Sequence, residues 1–286
     1  METDLVEVRS TDSMGDGLYA TKKINRGTRI FAESPMISTP FSTRPGSDKD
    51  PSTFCNEIEH LSKDRVKELD QLYCNAAHLN SETRARVRQW YRDQGATNTN
   101  GEILKGKKLQ DAAKTMVKRF AIFLTNRVVM RTADQGGGVV GIFPLFSRIN
   151  HSCVPNARNY YNPTLRRLTV HACRDIEAGE QIFVSYVNYA CRTQQQRAQD
   201  LLRRGVVCGC SACVDPAVDV LRRRSFELDQ GLAAYAKTQM RTIGNDVSPS
   251  LLPHIPKTPA EALKSAQELV EVLEKQGLEG IELCKT

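Results

Sequence analysis

Two short runs of this sequence carry side chains whose types and spacing suit chemistry. The first, Asn150-His151-Ser152-Cys153-Val154-Pro155-Asn156, sets polar side chains, a thiol and a chain-stiffening proline into seven residues. It issues directly from the apolar run 139–146, Val-Val-Gly-Ile-Phe-Pro-Leu-Phe, which belongs in a core. Polar groups beside a buried segment are costly unless they find partners or serve a purpose. The second run is Cys208-Gly209-Cys210-Ser211-Ala212-Cys213. Three thiolates held near a common centre repel one another without a cation; Zn²⁺ removes that cost and takes a tetrahedral fourth ligand. Candidates for the fourth position are Cys153, Cys173, Cys191, Cys284 and the histidines. Cys153 is attractive because it sits in the other polar cluster, and such a bond would staple two distant segments. A site with four sulfur ligands keeps no open position and is structural. With the ion bound, the formal charge of +7 falls to about +5.

The whole chain narrows the classes. Its nine cysteines are an odd number, and Met1-Glu2-Thr3-Asp4 is no signal peptide, so metal ligation is favoured over a disulfide framework. No apolar run approaches the roughly 20 residues of a membrane span. Cytosol or nucleus is the default location. A charge of +7 suits acidic or nucleic-acid partners, but no nucleic-acid-binding motif accompanies it. The densest basic run, Arg222-Arg223-Arg224, reads as one solvated helix face. Gly15-Asp16-Gly17 lacks the third glycine and the helix of a dinucleotide fingerprint, and by itself is a plain turn. There is no Gly-x-Ser-x-Gly elbow, Walker loop or His-Glu-x-x-His. The oligomeric state is not encoded in any recognisable way.

The elements that must position these residues follow from periodicity. Residues 1–37 read as short strands and turns, with Val6 and Val8 alternating with charge. The skeleton Ile24-x-x-Gly27-x-x-Ile30-Phe31 recurs as Ile176, Gly179, Ile182 and Phe183, which suggests two similar β-corners. Residues 38–54 read as a surface loop. Ile58, Leu61, Val66, Leu69, Leu72, Tyr73 and Ala76 form the stripe of one amphipathic helix, and Val87, Trp90 and Tyr91 mark a second. Residues 94–107 are polar and Gly-containing, a mobile connection. Leu109 to Leu124 give the strongest helical stripe. Cys55, His60, Cys74 and His78 lack ligand spacing and read as ordinary core or surface residues. From Gly136 to Val187 the pattern returns to strands, at 139–143, 156–161, 167–172 and 181–187. Thr193-Gln194-Gln195-Gln196 opens a helix that ends at Gly205. After Asp215-Pro216 two helices remain, the last capped by Thr258-Pro259-Ala260-Glu261 and stopping at Gly277. This order is α+β with a helical tail.

Taken together, Gly-Asp-Gly-Leu-Tyr-Ala at 15–20, Asn-His-Ser-Cys-x-Pro-Asn at 150–156, Gly179-Glu180 running to Tyr186, and Cys-x-Cys-x-x-Cys at 208–213 resemble the SET-domain lysine methyltransferases in order and type. The helical insert and Phe-Pro-Leu-Phe-Ser-Arg-Ile before the Asn-His-Ser-Cys run look most like the SET-and-MYND branch and its fungal relatives. The resemblance covers roughly residues 5–214. It departs in one respect: the insert holds only Cys55 and Cys74, so no MYND zinc cluster is present. The implied layout is a SET-type β-fold of small sheets with a pseudoknot over residues 1–205, its helical insert at about 55–125. A post-SET zinc segment follows at 206–215, then an α-helical region at 216–286 that looks like a shortened version of the helical-repeat C-domain of relatives.

The resemblance also implies roles. Asn150 and His151 face S-adenosylmethionine, Gly15, Asp16 and Gly17 lie along it, and Asn126 is the best match for an asparagine at its amino-acid end. Cys153 is the fourth ligand of a structural Zn²⁺ beside Cys208, Cys210 and Cys213. Tyr186 matches the tyrosine at the inner end of the lysine channel. The implied reaction is in-line attack of a neutral lysine amine of a protein or peptide on the sulfonium methyl, with alignment and exclusion of water as the protein's share. Histone and non-histone substrates are equally open. Val206 stands where relatives carry an aromatic near the adenine, a difference of ~1 kcal/mol in cofactor binding. Arg204 stands where a channel tyrosine is common, and would favour acidic residues flanking the target lysine. Val184, two residues before Tyr186, occupies a position that tunes product methylation, and its size leaves room for di- or trimethylation. The alternatives are a SET-fold protein that captures lysine-bearing tails without turnover, and a zinc hydrolase using His151, which would need an open metal position.

Overall fold

Alternation of buried and exposed side chains builds a set of small sheets rather than one large one. The computed structural model describes residues 4–11, 14–41, 50–97, 101–130, 138–241 and 255–278. Strands β1 (Val6–Thr11) and β2 (Gly15–Ala20) form an antiparallel hairpin. β3 (Arg29–Glu33) pairs with β9 (Arg167–Ala172), which pairs with β8 (Ala157–Asn162). β4 (Ile37–Phe41), β6 (Gly138–Ile142) and β5 (Val128–Met130) form a third sheet in that order. β7 (Asn150–His151) and β10 (Phe183–Val184) make a two-residue parallel pair. The first and third sheets are antiparallel throughout, as is the second.

The echo between the two Ile-x-x-Gly corners has a structural meaning, because the corners pair with each other. Ile24 N–H donates to Ile176 O and Ile176 N–H to Ile24 O, both at 2.9 Å. Gly27 and Gly179 take the left-handed conformation at φ 83° and 81°, which side-chain-bearing residues avoid. Ile24, Ile30, Ile176 and Ile182 join Leu18, Phe31, Ile149, Val170 and Val184 in one core beneath the strands.

The insert has its own core. Helices α1 (Ser52–Glu59), α2 (Lys63–Asp70), α3 (Ser81–Asp93) and α4 (Gly106–Asn126) bury Phe54, Leu69, Val87, Trp90, Phe120 and Phe123 against Ile37, Val140 and Ile142. Phe54 anchors it, with ring centroids 4.8 Å from Phe123 and 5.5 Å from Phe120. The stripe from Ile58 to Ala76 is therefore not one helix. Ser62 interrupts it, its side chain accepting the Arg65 N–H and starting a new helix, and Ala76–His78 is a single 3₁₀ turn. Tyr73 leaves the stripe altogether and is 64% exposed.

Other expectations also need correction. Of the loop expected at 38–54, residues 38–41 belong to strand β4 and 52–54 to α1: Ile37 and Thr39 are buried while Ser38 and Pro40 face out, and Pro40 is tolerated because β4 is an edge. Residues 42–49 of that expected loop, and 136–137, lie outside the described residues. Part of the connection at 94–107 is ordered, with a bridge between Thr97 and Ile103 and α4 starting at Gly106. Only Phe183–Val184 of 181–187 pairs as regular strand.

The C-terminal side follows the sequence closely. Helix α5 (Gln194–Leu202) carries the full capping box of Thr193 and Gln196, and the chain turns at Gly205, φ 72°. After the short α6 (Ser211–Val214), α7 (Pro216–Arg241) and α8 (Pro259–Glu274) pack together through Leu228, Leu269 and Leu273, with Tyr189 of the strand region. Thr258 caps α8 by accepting the Glu261 N–H at 3.2 Å. Arg224 and Glu268 bridge the two helices at 2.6 and 2.8 Å.

Candidate active site and metal centre

The Asn150–Asn156 run finds the partners its polarity requires. Asn156 is 1% exposed, donates Nδ2 to Gln181 O at 2.8 Å and Glu180 Oε1 at 3.1 Å, and accepts the Phe183 N–H at 2.7 Å. Ser152 N–H donates to Val184 O at 3.0 Å. At the far end the Tyr186 hydroxyl donates to Ile149 O at 2.6 Å, and the Tyr186 N–H donates to His151 Nδ1 at 3.0 Å. The segment 180–186 is thus laced to 149–156 at both ends, which is the sense in which the two runs form a knot.

A cleft of about 1350 Å³ opens beside this knot. Its walls come from Met14–Asp16, from Gln71, Tyr73 and Thr125–Val129 of the insert, from Phe146–Ser152, from Phe183, Ser185 and Tyr186, and from Arg204–Ser211. Ligand pockets usually span roughly 300–1,000 Å³, so this one has room for a cofactor and an entering side chain. It gathers Gly15, Asp16, Asn126, Asn150, His151 and Tyr186 from four separate segments of the sequence. Two expected residues stay off its walls. Gly17 faces inward, where an added Cβ would lie 2.4 Å from Gln181 Nε2, so its smallness serves packing. Val184 is buried in the core and lines a smaller cavity of about 170 Å³ with Tyr189 and Ala190.

Several cleft residues are fixed by neighbours. Asn150 Nδ2 donates to Asp16 O at 3.1 Å, and Asn126 Nδ2 donates to Tyr73 O and Ile122 O, both at 2.8 Å. The Asp16 carboxylate pairs with Arg148, a residue the sequence did not single out. Arg204 is exposed on the cleft wall and bonds no carboxylate among the described residues. Burial pushes the Tyr186 hydroxyl up to about 12, with Arg204 opposing, so it stays a neutral donor. Burial pushes the His151 imidazole down to about 4. Since Nδ1 accepts the Tyr186 amide, Nε2 carries the hydrogen, and it lies 3.3 Å from Cys153 Sγ. Both ring nitrogens are engaged within the protein.

The four candidate metal ligands converge. The sulfurs of Cys153, Cys208, Cys210 and Cys213 all lie within 4.8 Å of one another, and those of Cys153 and Cys213 are 3.6 Å apart. A tetrahedron of sulfurs at the usual ~2.3 Å from zinc has edges of about 3.8 Å, so the set fits such an ion. Among the described residues no other group of histidine, cysteine and acidic side chains has metal-binding spacing. Cys173 and Cys191 lie outside it, Cys55 is buried in the insert core, and Cys284 lies outside the described residues. Four sulfurs leave no open position, which disfavours the hydrolase reading.

The SET domain family profile matches residues 15–187, from the start of β2 to the residue after Tyr186. This chain belongs to the SET-domain family. The SET region therefore includes the knot and most of the cleft, with the cysteine trio just beyond it. Over 213 residues the chain is 31% identical to the histone-lysine N-methyltransferase set5 of Schizosaccharomyces pombe, covering 74% of this chain and 51% of that protein. The histone-lysine N-methyltransferase SMYD3 of Homo sapiens matches at 29% over 110 residues, 37% of this chain and 25% of its own length. The protein-lysine N-trimethyltransferase SMYD5 of Homo sapiens matches at 36% over 80 residues, 27% of this chain and 19% of its own. The chain spans about half the length, or less, of these relatives.

Proposed function

We propose that this SET-domain chain transfers methyl groups from S-adenosylmethionine to the ε-amine of lysine in a protein substrate, in the nucleus or cytoplasm. The observation that carries the reading is the Tyr186 hydroxyl, held on Ile149 O inside a cleft that Asp16, Asn126 and Asn150 share. The donor set fits the cofactor: side-chain amides and the Met14–Asp16 backbone suit its amino-acid end, while Val206 and the 91% exposed Val207 offer apolar cover for the adenine. S-adenosylmethionine supplies an electrophilic methyl on a positively charged sulfur. Gly15, Asp16, Asn126, Asn150 and the His151 backbone would hold it.

The chain's own residues then align and desolvate. A lysine amine, ~10.4 in water, must arrive without its proton. Among the described residues no carboxylate bonds the Tyr186 hydroxyl, so the cleft acts by exclusion of water and by the fixed hydroxyl. Tyr186 already donates its hydrogen to Ile149 O, so its oxygen lone pairs are left to accept an N–H of the amine and orient it. Arg204 sets a positive charge at the same wall, which favours acidic residues flanking the lysine.

The test is methyl transfer from labelled S-adenosylmethionine to a panel of histone and non-histone peptides, with Tyr186→Phe alongside. Transfer to lysine that falls with Tyr186→Phe supports the reading. Cofactor binding without transfer to any member, unchanged by Tyr186→Phe, favours the tail-binding alternative. An unchanged peptide preference after Arg204→Ala removes the acidic-flank element, and exclusively monomethyl product removes the expectation of di- or trimethylation.

A further inference from the structure

Two arginines beside the cysteine cluster have lost all contact with water. Arg197 on α5 and Arg222 on α7 are each 0% exposed. The sequence placed Arg222 with Arg223 and Arg224 on one solvated face, but α7 turns it inward. Arg222 donates Nη1 to Tyr189 O and Nη2 to Cys153 O, both at 2.8 Å. Arg197 donates Nη1 to Arg192 O at 2.6 Å and Nη2 to Ala212 O at 2.9 Å, and Nη2 lies 3.7 Å from Cys213 Sγ. The Nε of each is buried without a hydrogen-bond partner.

Neither guanidinium pairs with a carboxylate among the described residues. Backbone carbonyls satisfy N–H groups but carry no net charge. A guanidinium does not shed its proton at any ordinary pH, so two adjacent buried cations need a negative charge close by. The cysteine cluster supplies it. Zn²⁺ with four thiolates carries two net negative charges, and the two arginines carry two positive ones.

We propose that Arg197 and Arg222 are the counter-charges of the tetrathiolate metal site, and that through Arg222 the bound metal pins the start of α7 against the SET region. They are positioning residues: they touch the ligand residues Cys213 and Cys153, not a substrate. The inference rests on the metal reading of the four cysteines. It ties the C-terminal helical region, which lies beyond the family match at 15–187, to the wall of the cleft.

Zinc content and the rate of zinc release to a chromogenic chelator test it on wild type, Arg197→Met, Arg222→Met and Arg222→Lys. Wild type should hold one zinc per chain, the Met variants should release it roughly 10- to 100-fold faster, and Arg222→Lys should lie closer to wild type. Wild type without zinc overturns the metal reading itself. Met variants that hold zinc as tightly as wild type overturn only the counter-charge role. Should the Met variants fail to fold, hydrogen exchange of the full wild-type chain before and after chelation decides. Residues 216–228 should lose protection while α4 keeps its own; unchanged protection across 216–228 overturns the proposal.

Discussion

The two facing walls of the cleft are built on opposite physical plans. The insert wall, carrying Gln71, Tyr73 and Asn126, stands on an apolar core of Phe54, Phe120, Phe123 and Trp90. The knot wall, carrying Asn150, Tyr186 and Cys208–Cys210, stands on polar groups: Asn156, His151, two arginines and Cys153, all buried, and the half-buried Cys208, Cys210 and Cys213. An apolar core tolerates adjustment and loses stability in proportion to the volume removed. A buried polar network fails when one member is lost, because the remaining groups are left unpaired. The two walls meet at identifiable points. One is Gly205, where an added Cβ would lie 2.6 Å from Asn75 Nδ2 of the insert. Another is the sheet of β4, β6 and β5, which shares the insert core and leads into the knot.

This contrast is open to attack from either side, since Trp90 is the chain's one tryptophan and reports on the insert alone. The largest effect should come from Cys153→Ser, which removes a ligand from the knot wall. We expect loss of bound zinc and loss of hydrogen-exchange protection around 206–228, with Trp90 emission unchanged. Emission that shifts with the metal would mean the walls are one cooperative unit. Phe120→Ala is the converse. It should lower unfolding free energy by about 3–5 kcal/mol and red-shift Trp90 while zinc content stays at the wild-type value. Tyr186→Phe removes one hydroxyl from the knot wall. Turnover should fall by roughly 10²-fold with little change in melting temperature, as read by a steady-state methylation assay. The smallest effect expected is that of pH. Because burial holds Tyr186 protonated up to about 12, turnover should climb from about pH 7 toward the lysine pKa of ~10.4 without a falling limb from the tyrosine. A decline near pH 9 in a folded sample would contradict that assignment.

The walls also differed in how far the sequence disclosed them. The four cysteines were legible, because thiolate repulsion makes Cys-x-Cys-x-x-Cys improbable without an ion, and the polar run around Cys153 marked the missing ligand. The helix caps at Thr193 and Thr258 were legible as local chemistry. The insert's helices were legible as a stripe but not as separate elements, since periodicity continues through Ser62 while the backbone does not. Ile37–Phe41 was hidden because Ser, Thr and Pro are turn residues by type, and only pairing with β6 makes their alternation meaningful. Arg222 was misread for a similar reason. A triplet of arginines on a helix looks solvated until the helix docks and turns one of them onto the carbonyls of Tyr189 and Cys153. Asn156 belonged to the motif, yet its clamp on 180–183 depends on a segment distant in sequence. The roles of Gly15, Asp16, Asn126 and Asn150 toward a cofactor came through family resemblance, and the cleft they share is consistent with it.

The most direct measurement of the central claim is a calorimetric titration of S-adenosylmethionine into the zinc-loaded chain, run in parallel on Asn150→Ala. The account expects one saturable site in wild type and its loss or severe weakening in Asn150→Ala, with zinc content equal in both. A wild-type chain that binds no S-adenosylmethionine, or an Asn150→Ala chain that binds it as wild type does, would contradict the assignment of this cleft.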